Sequence, residues 1–125
     1  MTIKRDKAFW EAMANLAATR SIVIDRPKGK PHPNWPPDRV YPLDYGYLEG
    51  TSAADGGGID VWLGSLGNRM LTGILCTFDT LKRDAEVKLL LGCSSNDIEN
   101  ILAFHDENMK VLYIPNPEDQ NESHP

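Results

Sequence analysis

The feature that most constrains folding is a proline-rich segment near the start of the chain, residues 27–37. It carries five prolines, two lysines and one glycine. Proline fixes φ and has no backbone N–H, so neither a helix nor the inside of a sheet can run through this segment. A second break comes at the three consecutive glycines of residues 56–58. Regular structure must therefore be built from short elements on either side of these loops.

Two helices are predicted, one near each end of the chain. Apolar residues recur at helical spacing over residues 6–19, and Asp6 is a suitable N-cap. A second helix is predicted to start at residues 94–96, with Glu99 placed three residues after Asn96 as in a capping box. The two helices bracket the rest of the ordered chain.

Between the helices, and after the second one, the pattern is that of short strands rich in β-branched and aromatic residues. The predicted strands are residues 21–24, 40–48, 59–63, 70–78, 87–93 and, as a last short strand, 111–114. This pattern predicts a mainly β protein, a small sheet or barrel over one core. We expect one domain over residues 1–115 and a polar, disordered tail over 116–125.

Composition limits the function classes. The 125 residues carry a net charge of −5, which argues against a nucleic-acid partner. No apolar run approaches the roughly 20 residues of a membrane span, and residues 1–7 do not have the pattern of a signal peptide. Cys76 and Cys93 lie in apolar runs without metal-ligand spacing, so we interpret them as reduced core thiols. A cytoplasmic protein is expected.

Charge is unevenly distributed along the chain. Residues 20–39 are mainly basic, with Lys28, Lys30 and His32 in the proline-rich loop, whereas residues 44–60 contain acidic residues and no lysine or arginine. A basic segment next to an acidic one suits a site where carboxylates hold a cation and cations hold phosphate. Two solvated loops of opposite sign are the alternative interpretation.

The acidic segment contains a glycine turn flanked by carboxylates, Asp55 and Asp60. Consecutive glycines permit positive φ and close approach of a ligand. Mg²⁺ takes oxygen ligands and is commonly held by one or two carboxylates together with water and phosphate. The turn therefore predicts a Mg²⁺ site, with Mn²⁺ as a possible substitute, although a plain glycine turn would have the same sequence.

An aromatic run precedes this turn. Tyr41, Tyr45 and Tyr47 lie at even spacing, so in a strand they share one face. Their hydroxyls can bond phosphate oxygens while staying neutral. The commoner use of such tyrosines is packing in a core with the hydroxyl at its rim.

Together these motifs resemble the soluble inorganic pyrophosphatases of family I. The similar parts are the pair Asp25-Arg26, the run Tyr41-Pro42-Leu43-Asp44-Tyr45-Gly46-Tyr47, and the acidic glycine turn before Val61. The similarity covers roughly residues 22–63 and continues weakly through Glu86 and Lys88. It implies a five-stranded OB-like β-barrel with a helix at each end.

The resemblance also implies roles for individual residues. Catalysis would be carried by Asp60, Tyr45, Arg26 and Lys88. Substrate phosphate would be bound by Arg26, Tyr41 and Lys88. Metal would be held by Asp55, Asp60 and Glu86, with Asp79 and Asp84 as further candidates. The activity implied is hydrolysis of pyrophosphate by a water that Mg²⁺ activates.

The chain departs from the family pattern in its charged residues. Gly57 stands where the family has the middle aspartate of its signature, and the family's early lysine and glutamates have no counterparts. We therefore hypothesise that Lys28 and Lys30 replace the missing phosphate-binding cations. Because the charged set differs, two other functions stay open: hydrolysis of a related phosphoanhydride, and a non-catalytic barrel that binds phosphate or a partner. Bacterial members of the family are often hexamers, so a homo-oligomer is possible.

Overall fold

The computed structural model describes residues 7–119, which form two helices and six strands. In chain order these are α1 Lys7–Thr19, β1 Ile22–Arg26, β2 Asp44–Leu48, β3 Ile59–Leu63, β4 Leu71–Asp79, β5 Asp84–Leu91, α2 Ser95–Phe104 and β6 Met109–Pro115. In the part of the chain so described, neither helix is long and apolar enough to cross a membrane.

The six strands form one sheet in the order β1-β2-β3-β5-β4-β6. Only β3 and β5 pair in parallel, with Val61 opposite Leu89; the other neighbours are antiparallel. The protein is therefore mainly β, as predicted, but the sheet is not closed into the expected five-stranded barrel. The sheet is open because β1 pairs only with β2 and β6 pairs only with β4. This leaves β1 and β6 at opposite edges of the sheet.

Both faces of the sheet are apolar at its centre. Val61 and Leu89 pack on one face with Trp10 of α1, whereas the next residues, Trp62 and Leu90, pack on the other face with α2. Strands buried on both faces have continuous apolar sequences, which is why residues 87–93 show no alternation of polar and apolar positions. Each fully buried leucine here contributes roughly 1.5–3 kcal/mol to stability. The two cores fix the sheet on which the candidate site is built.

The start of α2 differs from the prediction in one detail. Ser94 is the N-cap, and its capping box is completed by Asp97 rather than by the predicted pair of Asn96 and Glu99. Burial acts to raise the pKa of Asp97, but hydrogen bonds from the backbone N–H groups and hydroxyls of Ser65 and Ser94 outweigh it and lower the pKa. The buried carboxylate therefore ties α2 to the turn after β3. Asp6, the predicted N-cap of α1, lies outside the described residues.

Gly46 explains how the tyrosine run packs against β1. A Cβ at this position would lie 1.8 Å from the carbonyl oxygen of Val23, which no side chain can do. Only glycine lets β2 approach β1 this closely between Tyr45 and Tyr47.

The proline-rich loop is irregular, as predicted, but it folds back onto the protein. Pro31 forms an isolated bridge with Val40, and the Trp35 ring stacks on Tyr41 with centroids 5.3 Å apart. Pro42 interrupts the predicted strand 40–48, so β2 begins only at Asp44. The loop thus covers part of the face that carries α2.

The described chain continues for four residues beyond the predicted domain boundary at residue 115. Asn116 is buried, and its side-chain amide donates to the carbonyl of Leu71. The rest of the predicted tail, residues 120–125, lies outside the described residues.

Candidate active site

Polar side chains from three neighbouring strands meet on the face of the sheet that carries α2. The Tyr45 hydroxyl donates to Oδ2 of Asp60 at 2.8 Å, and the Lys88 Nζ donates to the same oxygen at 3.1 Å. Lys88 also donates to the Tyr45 oxygen and lies 3.5 Å from the Glu86 carboxylate. Alternation along β2, β3 and β5 places all four side chains on one face. We call this group, Tyr45, Asp60, Glu86 and Lys88, the polar seam.

Within the polar seam, the Asp60 carboxylate is oriented through a single oxygen. Both of its hydrogen bonds go to Oδ2. Among residues 7–119, none donates a hydrogen bond to Oδ1. A carboxylate held by one oxygen in this way keeps the other available for a cation or a water.

Tyr45 is held in its neutral form. Burial raises the pKa of its hydroxyl well above the ordinary value, and the negative charge of Asp60 raises it further. The hydroxyl therefore remains a donor at any physiological pH. It can hold Asp60 or a phosphate oxygen in place, but it cannot accept a proton from water as a base.

Two cavities include residues of the polar seam in their lining; the charged residues of the first are acidic, and those of the second are mainly basic. The first has a volume of about 620 Å³, and its lining residues include Asp55, Asp60, Asp84 and Glu86 together with apolar residues such as Met13 and Cys76. Among the described residues, no lysine, arginine or histidine lines it. We call it the carboxylate cavity.

The second cavity, of about 390 Å³, is lined by aromatic and cationic side chains. Its aromatic wall is formed by Trp35, Tyr41, Tyr45, Trp62 and Phe104, and its basic residues are His32, Arg39, Lys82, Lys88 and His105. We call it the aromatic cavity. Tyr45 and Lys88 are among its lining residues, whereas Asp60 and Glu86 are among those of the carboxylate cavity.

Tyr41 and Arg26 extend the site beyond the seam. Burial raises the pKa of Tyr41, and the Arg26 guanidinium beside it acts in the opposite direction by charge and hydrogen bonding. Arg26 pairs with Tyr45 in the β1–β2 ladder. Four of the residues predicted for catalysis and phosphate binding, Arg26, Tyr41, Tyr45 and Lys88, therefore lie in one region of the protein.

No protein-family model matches this chain, and a search of curated proteins finds no significant match.

The predicted metal ligands lie in the same region, but they are not arranged as a group that could hold one ion together. Asp55 and Asp60 both line the carboxylate cavity, as do Asp84 and Glu86. Within residues 7–119, however, no three acidic, histidine or cysteine side chains are arranged so that they could hold one ion together. Asp55 accepts a hydrogen bond from the backbone of Gly57 at 2.9 Å, which keeps its Oδ1 within its own turn.

Three predicted site residues lie away from the seam. Lys28 and Lys30 have exposed side chains and line neither cavity. Asp79 accepts the backbone N–H groups of Leu81 and Lys82. It faces the aromatic cavity rather than the carboxylate cavity, and these hydrogen bonds lower its pKa. Asp79 therefore shapes the turn between β4 and β5.

Arg39 is a site residue that sequence reasoning did not single out. Its guanidinium lies 4.0 Å from the centroid of the Trp35 ring and 3.8 Å from the Asp106 carboxylate, and it donates to the carbonyl of Phe104. Phe104 lies 65 positions from Arg39 in the chain, and Asp106 lies close to Phe104, so no local pattern links these two partners to Arg39. The signal that could have found it is the basic charge of residues 20–39, which includes Arg39.

Proposed function

We propose that the protein hydrolyses inorganic pyrophosphate to two phosphates with the help of Mg²⁺ or Mn²⁺. The observation that carries the proposal is the position of Asp60. Asp60 is one of four acidic residues that line one cavity, while Lys88, which donates to its carboxylate, lines a second cavity whose charged residues are mainly basic.

This separation of charge fits a substrate that is itself a metal–phosphate complex. Pyrophosphate carries several negative charges, so it needs a cation on one side and donors from the protein on the other. The carboxylate cavity supplies ligands for the cation, and Lys88 supplies positive charge at the boundary. Arg26 and Tyr41 supply further donors next to Tyr45.

The donor set of the carboxylate cavity suits Mg²⁺ by type. All four charged side chains offer oxygen only, and the cation needs just one or two carboxylates when phosphate and water complete its shell. Asp60, Asp55, Glu86 and Asp84 are the residues that would hold it. When bound, Mg²⁺ neutralises phosphate charge and lowers the pKa of a coordinated water.

Each residue of the polar seam then has a distinct task. Asp60, fixed through Oδ2, orients the attacking water through its other oxygen. Tyr45 stays protonated and holds Asp60 in that orientation. Lys88 stabilises negative charge on the departing phosphate, which is the largest electrostatic demand of the reaction.

The proposal rests on the motifs and the polar seam rather than on a barrel, because the sheet is open. We also propose a cytoplasmic location, which the two free cysteines, Cys76 and Cys93, support.

The test is phosphate release from pyrophosphate and from nucleoside triphosphates, with Mg²⁺ or Mn²⁺. Asp60→Asn keeps the shape of the side chain and removes its charge. Glu49→Gln is the control, because Glu49 is an exposed carboxylate that lines neither cavity. We expect metal-dependent turnover of pyrophosphate that Asp60→Asn abolishes and Glu49→Gln leaves unchanged.

Two results would count against the proposal. Selective turnover of a nucleoside triphosphate would reassign the substrate while keeping the site. Phosphate binding without any turnover would show that the protein is a non-catalytic phosphate binder.

A further inference from the structure

The indole N–H of Trp62 is a buried donor without an acceptor. Trp62 is only 1% exposed, and within the described residues its Nε1 has no hydrogen-bond partner. A buried donor left unpaired costs about 1–3 kcal/mol, and such groups are rare in folded proteins. An acceptor that does not belong to the described chain would remove this cost.

The Trp62 side chain lies at the aromatic cavity, which can receive such an acceptor. Its ring contacts Tyr45 with centroids 4.8 Å apart and Phe104 at 5.7 Å, and both residues line the cavity as well. Lys88 reaches the same cavity from β5. Trp62, which carries an unpaired neutral donor, and Lys88, which carries a cation, therefore both line one space of about 390 Å³.

The two carboxylates that line this cavity are held by neighbouring groups of the chain. Asp79 accepts two backbone N–H groups of its own turn. Asp106 accepts the backbone N–H groups of Asn108 and Met109 through one oxygen, and its other oxygen faces Arg39. What the lining still offers is mainly donors and positive charge. A ligand that only accepts hydrogen bonds, such as an oxyanion, is complementary to it.

We propose that the aromatic cavity is a binding site for a phosphoryl oxyanion, with the Trp62 indole as its neutral donor and Lys88 as its cation. The identity of the anion as a phosphoryl group rests on the proposed function. In that function the cavity receives the phosphate that leaves across the polar seam. The donor role of Trp62 depends only on the cavity and its lining.

The direct test follows the indole N–H signals of the ¹⁵N-labelled protein while inorganic phosphate is added without metal. The chain has three tryptophans, Trp10, Trp35 and Trp62, and single Trp→Phe variants assign their signals. We expect the Trp62 signal to move downfield and saturate. The Trp10 signal should stay in place, because Trp10 packs on the opposite face of the sheet. A Trp62 signal that does not move at saturating phosphate overturns the proposal.

A second measurement compares phosphate affinity between variants by calorimetry. Trp62→Phe keeps an aromatic ring and removes only the N–H donor with part of the indole. Because a hydrogen bond to a charged group is worth about 1.5–3 kcal/mol, its loss should weaken binding by about tenfold or more. Trp10→Phe, also buried, is the control and should bind phosphate as the unmodified protein does. Equal affinities for Trp62→Phe and the unmodified protein would refute the donor role.

These readouts separate the two proposals. Phosphate binding that depends on Trp62, in a protein that hydrolyses nothing, would support the oxyanion site and refute the pyrophosphatase. Hydrolysis of pyrophosphate that is insensitive to Trp62→Phe, without any movement of the indole signal, would support the pyrophosphatase and refute the oxyanion site. Repeating the titration with metal-free pyrophosphate tells whether substrate and free phosphate use the same donor.

Discussion

The Lys88 Nζ lies 3.1 Å from Oδ2 of Asp60, and this pair links two parts of the sheet that are each built from consecutive antiparallel strands. Asp60 belongs to β3, the last strand of the β1-β2-β3 group, while Lys88 belongs to β5, which pairs with β4. Only the parallel pair β3–β5 joins the two groups within the sheet. The charged centre of the candidate site therefore lies across that joint.

Replacing Lys88 tests the electrostatic part of the mechanism. We expect Lys88→Met to lower kcat for pyrophosphate by about 100-fold or more, because one donor to a developing phosphate charge is worth that much. The control is Lys110→Met on β6, since Lys110 is exposed and lines neither cavity. Steady-state phosphate release gives both values. A Lys88→Met protein with normal kcat would exclude this lysine from catalysis.

The two lysines of the proline-rich loop should matter much less than Lys88. Both are exposed, and exposed charges are screened beyond roughly 10 Å at 0.1 M salt. Reversing both, Lys28→Glu with Lys30→Glu, should raise KM for pyrophosphate by about threefold at most at 0.1 M salt. The rise should shrink as salt is added. An increase as large as that for Lys88→Met would show that the loop closes over bound substrate.

Gly57 offers a gain-of-function test of the metal site. A Cβ there would lie 3.4 Å from Oδ1 of Asp55, an ordinary contact, so a side chain fits without moving the backbone. Gly57→Asp adds a carboxylate next to the carboxylate cavity and should lower the Mg²⁺ concentration for half-maximal activity by about tenfold. Gly57→Asn is the uncharged control. Equal Mg²⁺ requirements for the two variants would place the cation elsewhere.

Asp97 should be a major contributor to stability. It accepts the backbone N–H groups of Ser65 at 2.8 Å and Ser94 at 2.9 Å. Asp97→Asn removes the charge and can place the side-chain NH₂ group opposite the backbone N–H groups of Ser65 and Ser94. We expect the free energy of unfolding, measured in urea, to fall by about 2–3 kcal/mol. Glu99→Gln, at the exposed position first predicted to complete the capping box, should change it by less than about 0.5 kcal/mol. A similar loss in both variants would contradict the assigned cap.

His105 should make the fold sensitive to mild acid. Burial lowers its pKa from the ordinary 6.5, and the positive charges of Lys88 and Arg39 act in the same direction, although a hydrogen bond to Ile101 and the charge of Asp106 oppose them. In the unfolded chain this histidine becomes protonated as pH falls through about 6.5, whereas in the folded protein it is protonated only at lower pH. The unfolded state therefore binds more protons, and the free energy of unfolding decreases as pH drops below 6.5. Thermal unfolding of His105→Gln should show a weaker decline over this range. Parallel pH profiles would assign the sensitivity to other groups.

Much of the secondary structure could be predicted because local patterns determine it. The end of α1 at Thr19 and both ends of β3 match the predicted bounds, since periodic apolar residues stop where turn residues begin. The start of β2 was predicted too early because the aromatic pattern extends back to residue 41, whereas Pro42 cannot donate to the ladder and the strand begins only at Asp44. The cap of α2 was misassigned because the pairs Ser94/Asp97 and Asn96/Glu99 both have capping-box spacing, and the choice depends on the contact of Asp97 with the distant Ser65.

The site was harder to predict than the strands. The chain pattern associates Asp55 with Asp60, and both do line one cavity. The contacts that orient Asp60 come from Tyr45 and Lys88, which are respectively 15 and 28 positions away in sequence. The contact between Asp60 and Lys88 depends on the register between β3 and β5, and that register is set by the whole sheet. The difference in charge between the residues that line the two cavities also depends on strand register, so composition alone could not reveal it.

The joint between β3 and β5 also determines how activity is lost. If those two strands separate, each antiparallel group can keep its own ladder while Lys88 leaves Asp60, so a sub-global opening would be enough to abolish the proposed activity. Heat inactivation would then precede loss of strand content. Backbone amides along this one boundary would exchange with solvent deuterium at the rate at which activity disappears.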